Sequence, residues 1–378
     1  MYIKINTQEI FSGENAPEEY IEITENQYND LLKQKVVWQN NELVPNPDYR
    51  NGDWKTDMIK LGVTGSYGKT STCEMLYQYL LAAGKSAMMI STNGVFRNNE
   101  TVTKDLFVTS YHKDYLEKLL EESYHLYGID YVVIEIKGEL FRKNEDYVDF
   151  DIVGMTNFDP ELINNFYDNV DLYKSCKNKA LTLGTIAVVP KNLEKDFYHT
   201  DTYEYLQSFE GFNNHQIKNV SLAIAILQKM NLYTLEKFPP VVLRGRDEVF
   251  GNIVVDTGWC GYEHIQPMYA DKKVKLIYIP IWVRKETEAV QNYRNTAKNA
   301  LSTCEKIYVT KGIEERSFDE IREKFFDPDY TNIEYVSDHK DCFDKAVSEL
   351  QPDEILYIMT RTYFREFRDY VKVYKEIE

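Results

Sequence analysis

The sequence lacks a long apolar run and an excess of positive charge. No segment of its 378 residues approaches the roughly eighteen consecutive apolar residues of a membrane span, and the opening MYIKINTQEIF lacks the apolar stretch of a signal peptide. The chain carries 61 acidic against 44 basic side chains, a net charge of −17. Nucleic-acid phosphates need clustered lysine and arginine, so we expect neither a membrane span nor a nucleic-acid partner.

The cysteines show no pairing pattern. They are odd in number, scattered and without a Cys-x-x-Cys motif, at Cys73, Cys176, Cys260, Cys304 and Cys342. This usage is typical of reduced or incidental thiols inside the cell. We therefore predict a cytoplasmic protein.

The apolar pattern divides the chain into three regions. Residues 1–56 predict a small module and linker, with a short helix that begins in a capping box of Thr24 and Gln27 and a turn between alternating strands in KVVWQNNELV. Residues 57–238 alternate strand and helix, and residues 239–378 repeat this alternation in a smaller unit. The alternation predicts an α/β fold with a mostly parallel sheet and a second, smaller, Rossmann-like domain.

Short apolar runs bounded by polar residues predict the buried parallel strands. In residues 57–238 the predicted strands are MIKLGVT, YVVIEIK, DIVGMTN and TIAVVP, and the predicted helices are SYGKTSTCEMLYQYLLAAGK and NNHQIKNVSLAIAILQKM. In residues 239–378 the predicted strands are NIVVDT, VKLIYIPIW, KIYVTKG, IEYV and EILYIMT, with helices over TEAVQNYRNTAKNALSTC and DHKDCFDKAVSEL.

The stretch LGVTGSYGKTST, residues 61–72, joins a predicted strand to a predicted helix. Its glycines allow a tight turn that presents backbone N–H groups to phosphate oxygens, Lys69 can reach the terminal phosphates, and the Thr70 hydroxyl can join a Mg²⁺ shell. The alternative is a glycine-rich turn with a surface lysine, but the order of strand, loop and helix favours a phosphate loop. The candidate nucleotide-binding residues here are Thr64, Gly65, Ser66, Tyr67, Gly68, Lys69, Thr70 and Ser71.

The loop Gly65-Ser-Tyr-Gly-Lys-Thr-Ser resembles the G-[ST]-x-G-K-[ST]-[ST] loop of the Mur ligase superfamily. That group contains the ATP-dependent amide ligases of peptidoglycan precursor synthesis, folylpolyglutamate synthetase, cyanophycin synthetase and poly-γ-glutamate synthase. The resemblance implies a P-loop ATPase domain at 57–238 and a Mur-type, Rossmann-like C-terminal domain at 239–378. Residues 1–56 are too short for the UDP-binding domain of the peptidoglycan ligases.

A second signature is the glutamate in VVIEIKGEL, residues 132–140. Glu135 matches the family glutamate that ligates Mg²⁺, and Gly138-Glu139-Leu140 resembles the G-E-[IL] of some members. From the residues alone, the alternative is a strand-end carboxylate that faces water. A carboxylate after four apolar residues favours the metal role.

A third signature is MTNFDPELINNFYDNVDLYKSCKNKAL, residues 155–181, which resembles the family stretch T-N-[IL]-x-x-D-H-L-D…Y-x-x-A-K. Asn157 lies at a strand end, where ligands of α/β sheets collect. Lys177 matches the lysine that many members carbamylate, which implies a ligand of a second Mg²⁺. The alternative is a solvated helix lysine, since Lys174 and Lys179 lie close by.

This stretch also departs from the family pattern. The expected Asp-His pair is Glu161-Leu162 here, so Leu162 stands where the family has a histidine ligand. Asp159 and Glu161 are the candidate substitutes, because Mg²⁺ prefers oxygen ligands.

A fourth signature is GFNNHQIKNVSLAIAI, residues 211–226, which resembles the family H-N-x-x-N-x-x-A-A-x-A. The resemblance places Gln216 near the adenine and adds His215 and Asn219 to the nucleotide site. An alternative interpretation, with equal support, is that His215 is a residue at the start of the helix whose ring makes only local hydrogen bonds.

A fifth signature, LRGRDEVFGNIVVDTGWCGYEH at 243–264, resembles G-R-x-E…[IV]-D-D-Y-A-H. Arg246 matches the arginine that approaches the nucleotide phosphates, and Asp256 matches the aspartate that opens the C-terminal domain. An ordinary strand-end carboxylate is the alternative for Asp256. Trp259 stands where the family has a histidine.

The resemblance implies an ATP-dependent, ADP-forming amide ligase. A substrate carboxylate would be activated as an acyl phosphate and coupled to an amine, with an amino acid as the expected amine. Its catalytic residues would be Lys69, Glu135, Lys177 and Asp256, and Thr70, Glu135 and Lys177 would hold one or two Mg²⁺ ions with ATP. The alternatives are a P-loop NTPase or phosphotransferase, and a degenerate ATP-binding protein. Residues 1–56 offer a docking element for a protein partner, without a residue pattern that identifies one.

Overall fold

The protein is represented by a computed structural model, which describes most of the chain. The described residues are 2–4, 10–11, 20–22, 24–39, 42–103, 112–143, 146–160, 167–210, 212, 214–234, 238–257, 271–279, 301, 303–312, 317–326, 329–360 and 363–377. The sequence positions Glu161, Leu162, Trp259 and Cys260 lie outside them, as does most of the helix predicted for TEAVQNYRNTAKNALSTC.

The N-terminal residues form two small antiparallel sheets and two short helices. The elements are β1 (Tyr2–Lys4), β2 (Ile10–Phe11), β3 (Tyr20–Glu22), α1 (Glu25–Leu32), β4 (Val36–Gln39), β5 (Glu42–Pro45) and α2 (Trp54–Asp57). The capping box is confirmed, because the Thr24 hydroxyl accepts the Gln27 N–H at 3.2 Å and Gln27 Oε1 accepts the Thr24 N–H at 2.9 Å. The β4–β5 hairpin agrees with the predicted alternation, whereas the sheet β2-β1-β3 was not predicted.

The second region is a large α/β sheet with helices between its strands. Its elements are β6 (Ile59–Thr64), α3 (Lys69–Ala82), β7 (Ala87–Ser91), β8 (Gly94–Arg97), β9 (Glu100–Thr103), α4 (Lys113–Tyr127), β10 (Tyr131–Glu135), β11 (Phe150–Met155), α5 (Val170–Leu181), β12 (Gly184–Pro190), β13 (Asp201–Tyr203) and α6 (Asn214–Lys229). Within the described residues the strand order is β13-β12-β11-β6-β10-β7-β8-β9. Strands β13 to β7 are parallel, and β8 and β9 add an antiparallel edge.

Both faces of this sheet are covered, which explains why its strands read as continuous apolar runs. On β10, Val132 and Ile134 face one core with α4 and α5, whereas Val133 faces the other with α3 and α6. Because β11, β6 and β10 are adjacent and parallel, the residues that follow their carboxyl ends meet at one edge of the sheet.

The third region is a smaller α/β sheet. Its elements are β14 (Glu248–Phe250), β15 (Ile253–Asp256), β16 (Lys273–Tyr278), β17 (Lys306–Val309), α7 (Phe318–Phe325), β18 (Ile333–Tyr335), α8 (His339–Ser348), β19 (Glu354–Met359) and α9 (Phe364–Ile377). The described strands pair in the order β14-β15-β19-β16-β17-β18, and all pairs except β14–β15 are parallel. The predicted α/β architecture with a mostly parallel sheet is confirmed.

A membrane-spanning helix is not found among the described residues, where every helix is too short or too polar to cross a bilayer.

Candidate functional site

The loop between β6 and α3 occupies the central position at the carboxyl edge of the large sheet. Gly65 has φ +133° and Gly68 has φ +74°, so both need the conformational freedom of glycine. A Cβ on Gly68 would lie 1.9 Å from Asn219 Oδ1, and a Cβ on Gly65 would lie 2.0 Å from Thr156 Oγ1. The loop therefore packs directly against α6 and against the segment that follows β11.

Two lysine side chains donate hydrogen bonds to backbone carbonyl oxygens of this loop. Lys69 Nζ donates to Gly65 O at 3.1 Å and to Ser66 O at 3.0 Å, and Lys177 Nζ donates to Gly65 O at 2.8 Å. Lys177 is buried, whereas Lys174 pairs with Asp196 at the surface. Desolvation lowers the pKa of Lys69, and desolvation together with the neighbouring Lys69 charge lowers the pKa of Lys177 well below its usual value.

Glu135, at the end of β10, lies beside the first turn of α3. Its Oε2 accepts the Thr70 hydroxyl at 2.9 Å, the Thr92 N–H at 2.9 Å and the Thr92 hydroxyl at 3.1 Å. Although burial opposes the charged form, Lys69 and the Thr92 N–H hold the pKa of Glu135 below its usual value. Glu135 is therefore a carboxylate that points at the phosphate loop and not at bulk water.

The segment after β11 holds the tip of the loop. Asn157 Oδ1 accepts the Tyr67 N–H at 3.0 Å, and Asp159 Oδ2 accepts the Tyr67 hydroxyl at 2.6 Å. Ser66 Oγ accepts the Asp159 N–H at 2.8 Å and lies 2.6 Å from the Tyr173 hydroxyl. These contacts fix the loop conformation from a neighbouring strand end. Asp159, which the sequence offered as a metal ligand, is engaged with Tyr67.

Helix α6 contributes to the same edge of the sheet. Asn219 is buried against Gly68, and Gln216 lies one turn earlier and is partly exposed. His215 lies in α6, but its side chain is outside what the structure describes.

Arg246 reaches the site from the segment between the two large sheets. Its guanidinium donates to Thr70 Oγ1 at 3.4 Å and to Gly245 O at 3.1 Å, and it also contacts the Thr257 hydroxyl. Asp256 is buried at the end of β15, where the Tyr357 hydroxyl lies 3.4 Å from its Oδ2. The structure thus places Arg246 at the loop, whereas Asp256 is engaged within the smaller sheet.

Two residues at the site were absent from the sequence predictions. Thr92 binds Glu135 and follows the buried strand β7, so its position at a strand end could have identified it. Arg365, in α9, donates to Thr92 O at 3.0 Å across 273 residues of sequence separation. No local pattern identifies Arg365, because its position depends on how the two sheets pack.

The oxygen atoms of Thr70 and Glu135 fit a magnesium ion held mainly by a nucleotide. Mg²⁺ usually takes one or two protein oxygens and completes its shell with phosphate oxygens and water. Within the described residues, no group of three or more His, Cys, Asp or Glu side chains could hold a metal by itself. The donor set therefore fits a metal that arrives with ATP.

Comparison with known families agrees with this geometry. Residues 63–195 match the family model of the Mur ligase middle domain. This part of the chain is a Mur ligase middle domain. The domain contains the phosphate loop, Thr92, Glu135, Asn157 and Lys177.

The match to a curated relative covers more of the chain than this domain does. The UDP-N-acetylmuramoyl-L-alanyl-D-glutamate–2,6-diaminopimelate ligase of Wolinella succinogenes is 24% identical over an alignment of 198 residues, including gaps, that covers 48% of this chain and 45% of the relative. The chain thus spans less than half the length of this curated relative.

Solved structures share the fold over most of the chain. A bifunctional folylpolyglutamate synthase/dihydrofolate synthase from Yersinia pestis, complexed with AMPPNP and a Mn ion, has a TM-score of 0.61 at 14% identity, covering 84% of this chain and 90% of that one. A structure of such an enzyme with Mn, AMPPNP and L-glutamate has a TM-score of 0.60 at 15% identity, covering 84% and 91%. At these identities the likeness shows that the Mur ligase middle domain and the smaller sheet together adopt a known two-sheet fold.

Proposed function

We propose that the protein is an ATP-dependent, ADP-forming ligase that joins a carboxylate to an amine. One observation carries the proposal: Lys69, Thr70, Glu135 and Arg246 converge on one glycine loop inside a Mur ligase middle domain. The loop N–H groups and the two cations would neutralise the phosphates of ATP. Catalysis of this kind depends mainly on positioning and on stabilising charge.

The proposed reaction has two steps, formation of an acyl phosphate and attack on it by the amine. A substrate carboxylate oxygen attacks the γ-phosphorus, the bond to the β–γ bridging oxygen breaks, and ADP leaves. The amine nitrogen then attacks the acyl carbon of the mixed anhydride, inorganic phosphate leaves, and the amine loses a proton. Mg²⁺, when bound with ATP, would neutralise charge on the phosphate oxygens.

Different residues of the chain would bind the phosphates, hold the metal ion and serve the amine. Lys69 would bind the terminal phosphates, Thr70 and Glu135 would hold the ion, and Arg246 would approach the transferring phosphoryl group. Lys177, whose Nζ donates to Gly65 O, would act near the same loop. A carbamate on its buried amine would convert it into an oxygen ligand for a second ion, and Asp256 would serve the amine side after closure of the smaller sheet.

The amine is proposed to be an amino acid. Support comes from the folylpolyglutamate synthase/dihydrofolate synthase structure that holds L-glutamate on a similar fold. The proposed adenine side is α6, through Gln216 and Asn219 with His215 nearby. The proposed domains are 1–56, 57–238 and 239–378.

Release of ADP by the purified chain, with Mg²⁺ and ATP, tests this function. Amino acids and short γ-linked peptides are screened as acids and amines, with Lys69→Ala as the inactive control. We expect ADP release that requires both an acid and an amine and that stops when EDTA removes the metal. Release that is indifferent to both substrates would indicate an NTPase or phosphotransferase, and ATP binding without release would indicate a degenerate ligase.

A further inference from the structure

A buried carboxylate lies one helical turn beyond the phosphate loop. Glu74 is 0% exposed in α3, and residues four apart in a helix share a face, so Glu74 lies on the same side of α3 as Thr70. The Arg244 guanidinium lies 3.3 Å from both carboxylate oxygens of Glu74. Amide groups of Asn93 and Gln78 also donate to this carboxylate, at 3.1 and 3.0 Å. Both carboxylate oxygens of Glu74 therefore accept hydrogen bonds, and the carboxylate forms an ion pair with Arg244.

Arg244 belongs to a tight turn that leads directly to Arg246. The Arg246 N–H donates to Leu243 O at 2.9 Å, which closes a β-turn with Gly245 at φ +63°. The turn is held at two further points, because Asn93 Nδ2 donates to Arg244 O at 3.0 Å and Glu248 Oε2 accepts the Gly245 N–H at 2.9 Å.

The Arg244 side chain is fixed from a second direction. Its guanidinium lies 4.2 Å from the centre of the Phe96 ring, on the strand β8 that follows Asn93. A planar guanidinium can stack on an aromatic face and bind a carboxylate at the same time, which a lysine cannot do equally well. Helix α3 and the β7–β8 hairpin thus hold the turn between them.

These contacts form a continuous path from α3 to the phosphate loop. Glu74 and Asn93 hold Arg244, the turn carries the chain two residues on, and Arg246 reaches Thr70 at 3.4 Å. The two ends of the path, Glu74 and Thr70, lie on one rigid helix. Movement of the turn relative to α3 would therefore displace Arg246 from the loop.

We propose that Glu74 and Arg244 are a positioning pair that sets the Arg246 guanidinium against the phosphate loop. Glu74 is a positioning residue, because it acts through Arg246 and contacts no nucleotide-binding atom of the loop. The inference rests on the proposed function in that Arg246 must bind the nucleotide.

A double-mutant cycle on Mg·ATP affinity tests the pair. Glu74→Gln is measured by titration calorimetry in the native chain and in the Arg246→Ala variant. We expect the Kd to rise about tenfold in the native background, the range of one charge-assisted contact, and less than about twofold when Arg246 is absent. An equal rise in both backgrounds would overturn the proposal, because Glu74 would then act without Arg246.

Glu354→Gln is the matched control. Glu354 is also a buried carboxylate, paired with Lys275 at 2.7 Å in the smaller sheet. Its replacement should lower the melting temperature while the Kd for Mg·ATP changes less than about twofold in both backgrounds.

Arg244→Lys provides a second route if Glu74→Gln does not fold. It keeps the charge but removes the planar fork, and we expect a smaller rise in Kd, about threefold, that again disappears without Arg246. No rise in the native background would contradict the proposal.

Mg·ATP binding without amine-dependent ADP release would contradict the ligase function alone, since the cycle needs only nucleotide binding. A native chain that binds no Mg·ATP would overturn both proposals.

Discussion

The smaller sheet and the carboxyl edge of the larger sheet differ in the groups around their buried lysines. In the smaller sheet Lys275, 7% exposed, lies 2.7 Å from a carboxylate oxygen of Glu354. In the larger sheet Lys177, 3% exposed, donates to the backbone carbonyl of Gly65, and no described carboxylate lies within ion-pair distance of Lys177 or Lys69. A buried cation is costly unless a negative group compensates it. The smaller sheet supplies that group from its own chain, as the larger sheet does for Lys60 with Asp151 at 3.9 Å, whereas the carboxyl edge of the larger sheet is suited to receive it from a bound anion.

The contrast extends to the other charged groups of the smaller sheet. Lys306 pairs with Glu334 at 2.9 Å and with Glu349 at 2.7 Å, and Lys345 contacts the same two carboxylates. Arg368 pairs with Glu248 at 2.7 Å. These described ion pairs join residues of the same sheet, so they serve the fold.

The largest expected effect is the loss of nucleotide binding in Lys69→Ala. Lys69 would make charge-assisted hydrogen bonds to two phosphates, so we expect the Kd for Mg·ATP to rise about 100-fold. Calorimetric titration measures it, with Lys306→Ala as the paired-lysine control. An equal loss of Mg·ATP affinity in both variants would contradict the distinction between the two sheets.

An intermediate effect is expected on stability, from matched replacements of the two buried lysines. Lys275→Met leaves the Glu354 carboxylate buried without its cation and should lower the free energy of unfolding by about 3 kcal/mol. Lys177→Met removes a buried amine whose charged form is disfavoured and leaves no carboxylate without its cation, so stability should stay equal or rise by about 1 kcal/mol. Urea unfolding of both variants checks this, and a large loss in Lys177→Met would show that this lysine is structural.

The smallest expected effect concerns pH and the smaller sheet. Hydrogen bonds from Lys306 and Tyr308 hold the pKa of Glu349 at about 2. The folded pKa is lowered, so this stabilisation is present above the unfolded value near 4.5 and is lost as the pH falls through the folded value. Because Glu349 is about one-third exposed, Glu349→Gln should cost only on the order of 1 kcal/mol at neutral pH.

Melting temperatures of both proteins between pH 7 and pH 2 provide the measurement. The difference between the native chain and Glu349→Gln should shrink as the pH falls below about 4.5. A difference that persists unchanged at pH 2 would mean that the ion pairs do not contribute to stability.

Features fixed by neighbouring residues could be predicted from the sequence. The capping box at Thr24 depends on residues three apart, and the phosphate loop depends on the strand and helix that flank it. Glu135 ends one strand and Asn157 follows another, both strands read as apolar runs, and parallel strands of one sheet bring such ends together.

Features that depend on packing between distant segments could not be predicted. The Glu74–Arg244 pair joins residues 170 apart, and the contact of Arg365 with Thr92 joins α9 to the end of β7. The sequence also offered three neighbouring lysines on α5, and only packing places Lys177 at the loop. The three-stranded N-terminal sheet was missed because its strands are too short to show a period.

The close contact between Gly68 and Asn219 has an evolutionary consequence. Any side chain at position 68 would collide with the Asn219 amide, which belongs to a helix that begins 146 residues later. Both this contact and the positive φ of Gly68 therefore exclude a side chain at position 68. Among related sequences, glycine should be retained at position 68 even where the residue at position 219 differs.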